Sequence, residues 1–165
     1  MAALLLLNLP SPPAAFIALA NLLNRPLPLA FCSQDATAKA SVYNLVMQML
    51  GRKSEALHFH LTHTLHHVDP DEYLCTVFRS LLTSHLSIDE AARLWDVYGF
   101  EGDSVFVRAA VALLLEREMA LLSAKTAGEI SDVLRRAGVG TCQRAVGGDV
   151  GYEDKWMDSV RDAGV

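Results

Sequence analysis

The chain has 165 residues, 52% of them hydrophobic, with 14 basic against 19 acidic side chains and a formal net charge of -5. That is the length of one domain, with ample apolar material for a buried core. The acidic balance, with no Lys/Arg cluster longer than a pair, excludes the basic footprint of a nucleic-acid binder and a polybasic membrane anchor.

No charged residue stands between Met1 and Asn24, and Arg25 is the first. A secretory signal opens with a positive segment, and a membrane span needs roughly 20 uninterrupted apolar residues. Pro10, Pro12 and Pro13 divide this stretch. The reading is therefore two core helices with no direct membrane insertion: MAALLLLNL, then a second with Ser11 as N-cap and Pro12 at the first helical position. A helix apolar on every side must be covered on every side, so the first is expected to need a covering surface that these residues do not supply.

The next helix spans Ala36 to Leu50, with Val42, Leu45, Val46, Met49 and Leu50 at helical spacing and a stop expected at Gly51. Histidines follow at 58, 60, 63, 66 and 67. On a wheel of about 100° per residue, Leu57, Leu61, Leu65 and Val68 fall on one side and His60, His63 and His67 on the other, facing water. His63 and His67 have i, i+4 spacing, but no Cys, Asp or Glu completes a ligand set of three or four. Solvated histidines are the expectation, with no metal and no cofactor.

Asp69, Pro70 and Glu72 form a helix start signal, and the helix is expected to run through YLCTVFRSLLTSHL. Ser87 with Glu90 predicts a capping box for IDEAARLWDVYGF, and Thr126 with Glu129 predicts another for AGEISDVLRR. Between them Asp103 or Ser104 is placed to cap the apolar run VFVRAAVALLLEREMALL. No alternating β-branched run competes with these signals, so the fold class is all-α, a multi-helix orthogonal bundle. Cys32, Cys75 and Cys142 are far apart and odd in number, which indicates neither a disulfide framework nor a CxxC motif and fits the cytoplasm.

The short signatures GxGxxG, GxxxxGK[ST], GxSxG and HExxH are absent. The polar residues of interest end one amphipathic helix, at Arg93, Trp95 and Asp96, and occupy the turn before the next, at Glu101 and Gly102. Their chemistry predicts a core anchor at Trp95, a positive-φ turn at Gly102, and charges tying two helices together. Nothing nucleophilic stands beside them.

Arg93, Trp95, Asp96, Glu101, Gly102, Asp103 and Phe106 stand as R-x-W-D, then E-G-D, then an aromatic within an apolar helix. This run resembles the second half of a TBC domain, the all-helical GTPase-activating domain that acts on Rab-type small GTPases. Ala15, Phe16, Ala18, Leu19, Leu22 and Leu23 match that family's A-F-x-A-L-x-x-L-L helix. Pro70, Tyr73, Leu74 and Phe78 match P-x-x-Y-L-x-x-W-F, with Val77 in place of the family's Trp. The likeness spans residues 1–136; residues 137–165 are expected to form a Gly-rich connection and a short final helix around YEDKWMDSVRDA.

The resemblance implies a Rab-type GTPase as partner and a role in vesicle traffic, with any membrane association through that partner. It also implies catalysis by an Arg from I-x-x-D-x-x-R and a Gln from Y-x-Q-G, both in the family's first half. Neither motif is in this sequence. Asp132 and Arg135 have the D-x-x-R spacing, but Ile130 is one residue too close and the segment follows the W-D and E-G motifs. Gln34, Gln48 and Gln143 have no Tyr two before and no Gly after. No catalytic residue is therefore assigned. The expected function is a fragment of a Rab GTPase-activating protein, inactive alone; a non-catalytic helical protein-binding module is the alternative.

Overall fold

In a computed structural model, which describes residues 1–135 and 152–164, the chain is all-α. The described residues hold eleven α-helices, one π-helical turn and no strand. The first four are α1 (Ala2–Asn8), α2 (Pro12–Leu23), α3 (Pro26–Ser33) and α4 (Ala36–Lys53). Next come α5 (Glu55–Phe59), the π turn (His60–Thr64), α6 (Pro70–Arg79) and α7 (Ile88–Glu101). The rest are α8 (Ser104–Glu116), α9 (Glu118–Leu121), α10 (Ala127–Arg135) and α11 (Tyr152–Asp162).

The helix starts follow the local chemistry. The Ser11 hydroxyl accepts the Ala14 N–H with Pro12 at the first helical position, and complete capping boxes open α6 at Asp69/Glu72 and α7 at Ser87/Glu90. At α10 the Thr126 hydroxyl accepts the Glu129 N–H, while Glu129 reaches back to the Lys125 N–H.

The helix ends differ from the pattern in the sequence. Gly51 does not stop α4, which continues to Lys53; the His58 ring lies 3.4 Å from where a Cβ at Gly51 would sit, so the missing side chain makes room for it. α6 stops at Arg79 instead of running through Leu86, because Leu81 (φ 49°) and Leu82 (φ 61°) turn left-handed and both reach the core. That conformation is uncommon for a residue with a branched side chain and persists only when packing holds it.

α8 is the centre of the bundle. Nine of its residues are buried, from Val105 to Leu114, and it packs against α4, α6, α7, α9 and α11. Its apolar surface is continuous around the axis because neighbours cover it on all sides. α1 differs: Leu4 is buried, but Leu6 and Leu7 are 53% and 72% exposed. No single helix among the described residues is long and apolar enough to cross a membrane, and the apolar pair α2 and α3 meets at 81°.

Leu57, Leu61, Leu65 and Val68 face the core as the wheel predicts, and His63 and His67 are exposed. His60 is a correction, since it is half-buried and its Nε2–H donates to the Ala124 carbonyl at 3.0 Å. It stands at the flank of the wheel, about 95° from the leucine axis, where the segment after α9 packs beside it. The Leu65 N–H bonds to the His60 carbonyl, closing the wider i→i+5 turn.

Candidate functional site at the corner between the seventh and eighth helices

The residues singled out in the sequence meet where α7 turns into α8. Gly102 has φ 73° and ψ -158°, a backbone region open essentially only to glycine, and this single residue makes the bend. Glu101 before the bend forms an ion pair with Arg108 one helix later, so a charge pair does tie the two helices together.

Asp103 does not cap its own helix. Its Oδ2 accepts the Leu27 N–H at 2.9 Å, an otherwise unsatisfied donor in the first turn of α3, and its Oδ1 accepts the Tyr98 hydroxyl proton at 3.2 Å. The expected local cap has become a long-range one, joining segments 76 residues apart. A negative charge at that helix start is also favoured by the helix dipole. Arg25 lies over the Tyr98 ring, 5.0 Å from its centroid, and burial, then the Asp103 charge, push the phenol up to about 12.

Trp95 is half-buried at the edge of the core, and its Nε1–H donates to the Leu81 carbonyl at 3.3 Å. It thereby holds the left-handed Leu81–Leu82 segment. Arg93 points away to Asp154 of α11 at 3.7 Å, and Asp96 is exposed, outside this network among the described residues. The five sequence-selected residues thus share one corner, but Arg93 and Asp96 are not drawn into its interior. Asp132 and Arg135 lie on α10, away from α7.

Two polar clusters were not anticipated from the sequence. Buried Lys39 reaches Asp71 at 2.6 Å and Gln34 at 3.0 Å, and Tyr43 donates to the same Asp71 oxygen at 2.6 Å. The hydrogen bond to Asp71 raises the Lys39 ammonium above its ordinary value, and the bonds from Lys39, then Tyr43, hold the Asp71 carboxyl below the usual range. The i, i+4 pairs Lys39/Tyr43 and Asp71/Cys75 were the available signal. The second cluster centres on His85, 1% exposed and with neither ring nitrogen hydrogen-bonded among the described residues. Arg117 donates to the carbonyls of His85 (3.1 Å), Val133 (2.8 Å) and Leu134. Burial, then the charges of Arg117 and Arg135, lower His85 to about 4.

Chemically the corner is a fixed bend of hydrogen-bonded anchors and exposed charges; among the described residues no Ser, Cys or Lys there is paired with a side-chain base, and the Tyr98 hydroxyl on Asp103 is spent as an anchor. Among the described residues no group of three or more His, Cys, Asp and Glu side chains is placed to hold a metal. The site belongs to a helical scaffold that presents a surface.

Comparison with known proteins identifies that scaffold, for the RabGAP TBC domain family matches residues 1–144 and the chain belongs to it. It is 36% identical over 111 residues to a TBC domain-containing protein of Schizosaccharomyces pombe, covering 67% of this chain and 23% of that protein. TBC1 domain family member 12 of Xenopus tropicalis is 34% identical over 122 residues, covering 74% of this chain and 17% of that protein. TBC1 domain family member 14 of Homo sapiens is 32% identical over 114 residues, covering 69% and 16%. The chain therefore aligns with about a fifth of the length of these relatives. No solved structure matches it.

Proposed function

We propose that these residues form the C-terminal half of a Rab GTPase-activating domain: they contribute scaffold and docking surface, and they lack the groups that accelerate hydrolysis. The family match over residues 1–144 carries this reading, together with the absence of Y-x-Q-G and I-x-x-D-x-x-R from the 165 residues. GTP hydrolysis is accelerated by an in-trans donor that neutralises the charge on the leaving phosphoryl group and by a group that orients the attacking water. Such a donor acts only within hydrogen-bonding distance. Of the W-D and E-G residues at the corner, Trp95 and Gly102 serve as internal anchors: Trp95 binds Leu81, and Gly102 makes the bend.

Phosphate release measured across a panel of Rab-type GTPases tests the proposal. The expected outcome is no rate above the intrinsic one. Stimulation of ten-fold or so, equivalent to about 1.4 kcal/mol of barrier, that is lost on mutating Arg93 or Arg135 to Ala would overturn it.

A further inference from the structure

A buried histidine stands beside the C-terminal end of α10. His85 is 1% exposed, and neither ring nitrogen has a hydrogen-bond partner among the described residues. A neutral imidazole tolerates such a site at the cost of its own desolvation, whereas an imidazolium there needs an acceptor or water.

One guanidinium joins the histidine segment to α10. From the junction of α8 and α9, Arg117 donates through Nη2 to the His85 carbonyl at 3.1 Å and through Nη1 to the carbonyls of Val133 (2.8 Å) and Leu134. The last two belong to the final turn of α10, whose carbonyls have no partner within the helix and favour a cation. The rest of the seat of α10 is light. The helix packs on α6 and α9 and buries Ile130 and Leu134, and the Ser131 hydroxyl donates to the Glu72 carbonyl at 3.4 Å in exposed surroundings. α8, by contrast, buries nine residues. Elements with few buried apolar contacts open locally before the core does.

The charges that bear on the His85 ring, Arg117 and Arg135, are both positive. Carboxylates on the neighbouring elements are engaged elsewhere or lie in solvent. On α6, Glu72 accepts the Asp69 N–H and Asp71 holds Lys39, while Arg79 is exposed. Glu90 of α7 accepts the Ser87 N–H, and Asp89 is exposed. Glu116 lines the cleft beside α11, Glu118 of α9 holds the Ser54 hydroxyl, Glu129 of α10 reaches back to the Lys125 N–H, and Asp132 is exposed.

We propose that His85, Arg117 and the end of α10 form an acid-sensitive lock: protonation of the His85 ring opens the Arg117 clamp and releases α10, while the helices around α8 stay in place. A protonated ring in this site faces two cations and finds no acceptor among the described residues, so it must reach water. Lifting α10 admits water with the loss of two buried side chains, and it uncovers the surfaces of α6 and α9 on which α10 sits. The sign follows from burial. An imidazole in water takes its proton near pH 6.5, and the closed site disfavours that proton, so the open form gains on the closed one as pH falls below that value. This lock does not depend on the GTPase-directed role.

Hydrogen exchange on the full chain at pH 7 and pH 5, corrected for the intrinsic pH dependence of amide exchange, tests the proposal. On acidification the α10 amides are expected to lose protection by about ten-fold or more relative to those of α8. In full-length His85→Leu that acid-specific loss disappears. In full-length Arg117→Met the clamp is absent, so α10 has lost protection relative to α8 already at pH 7. On the unaltered chain alone, an equal change in α10 and α8, or no change in α10, overturns the proposal. So does an acid-induced loss in α10 that survives His85→Leu, which would assign the response to another group.

Discussion

Asp103 serves two distant segments with one carboxylate, so its removal is felt away from its own helix. Asp103→Ala leaves the first turn of α3 and the Tyr98 hydroxyl without their acceptor. The expected loss is about 1–2 kcal/mol by urea unfolding, with Asp103→Asn recovering part of it, as for other helix caps. Gly102→Ala is a different experiment at the neighbouring position. The nearest atom to the added Cβ is Arg25 Nη1 at 3.8 Å, so the cost is backbone strain without collision. About 1–3 kcal/mol is expected, with no change in the rest of the core. His85 responds to pH. An unfolded histidine binds its proton near pH 6.5, whereas His85 in its buried site does so only near 4. Between those values the unfolded chain holds more protons, so stability falls as pH drops through the window and is unaffected above it. The loss approaches about 3 kcal/mol at pH 4, and urea titrations of His85→Leu at pH 7 and pH 4.5 should show that part of the slope removed.

At the scale of elements, local chemistry and tertiary packing compete, and α6 shows which one wins. Its start was legible because Asp69, Pro70 and Glu72 act within one turn. Its end was not, because helical periodicity continues through Leu81 and Leu82 while the chain itself turns left-handed to put both into the core. The wheel likewise found the leucine face beside the histidines and missed His60, whose partner Ala124 is 64 residues away. The candidate corner divides in the same manner. The positive φ of Gly102 and the charge tie between α7 and α8 follow from residue types close in sequence, whereas the Asp103 to Leu27 bond and the meeting of Lys39 with Asp71 require long-range proximity, which the i, i+4 pair on each helix does not by itself encode. The competition at Leu82 has a measurable sign. Leu82→Gly relieves about 1 kcal/mol of left-handed strain, but it empties a fully buried site, for which leucine truncations cost about 3 kcal/mol or more. Net destabilisation near 2 kcal/mol is expected by thermal or urea unfolding, and a gain in stability would show that the turn is set by something other than packing.

For the whole molecule, charge and apolar surface are unevenly distributed. The net charge of -5 lies entirely beyond residue 24, and like charge there opposes the approach of a second copy. The first two helices have no such protection. Leu6, Leu7, Phe16 and Ile17 are exposed at 53%, 72%, 71% and 60%, in a segment without a single charged side chain. Fully burying one such side chain is worth roughly 1.5–3 kcal/mol, so covering four partly exposed ones on each copy works against that repulsion. An uncharged face can also meet its own copy without opposing like charges. The chain is therefore expected to associate with rising concentration through α1 and α2, and to bind a hydrophobic dye at low concentration, where the face is free. Sedimentation velocity over a hundred-fold concentration range checks the first, and dye fluorescence the second. Introducing Leu7→Glu with Phe16→Glu should restore the monomer and abolish the dye signal while leaving helicity unchanged, because neither side chain is part of the core. A monomer at every concentration that binds no dye would show that these four apolar side chains are covered in solution by a rearrangement of α1 and α2.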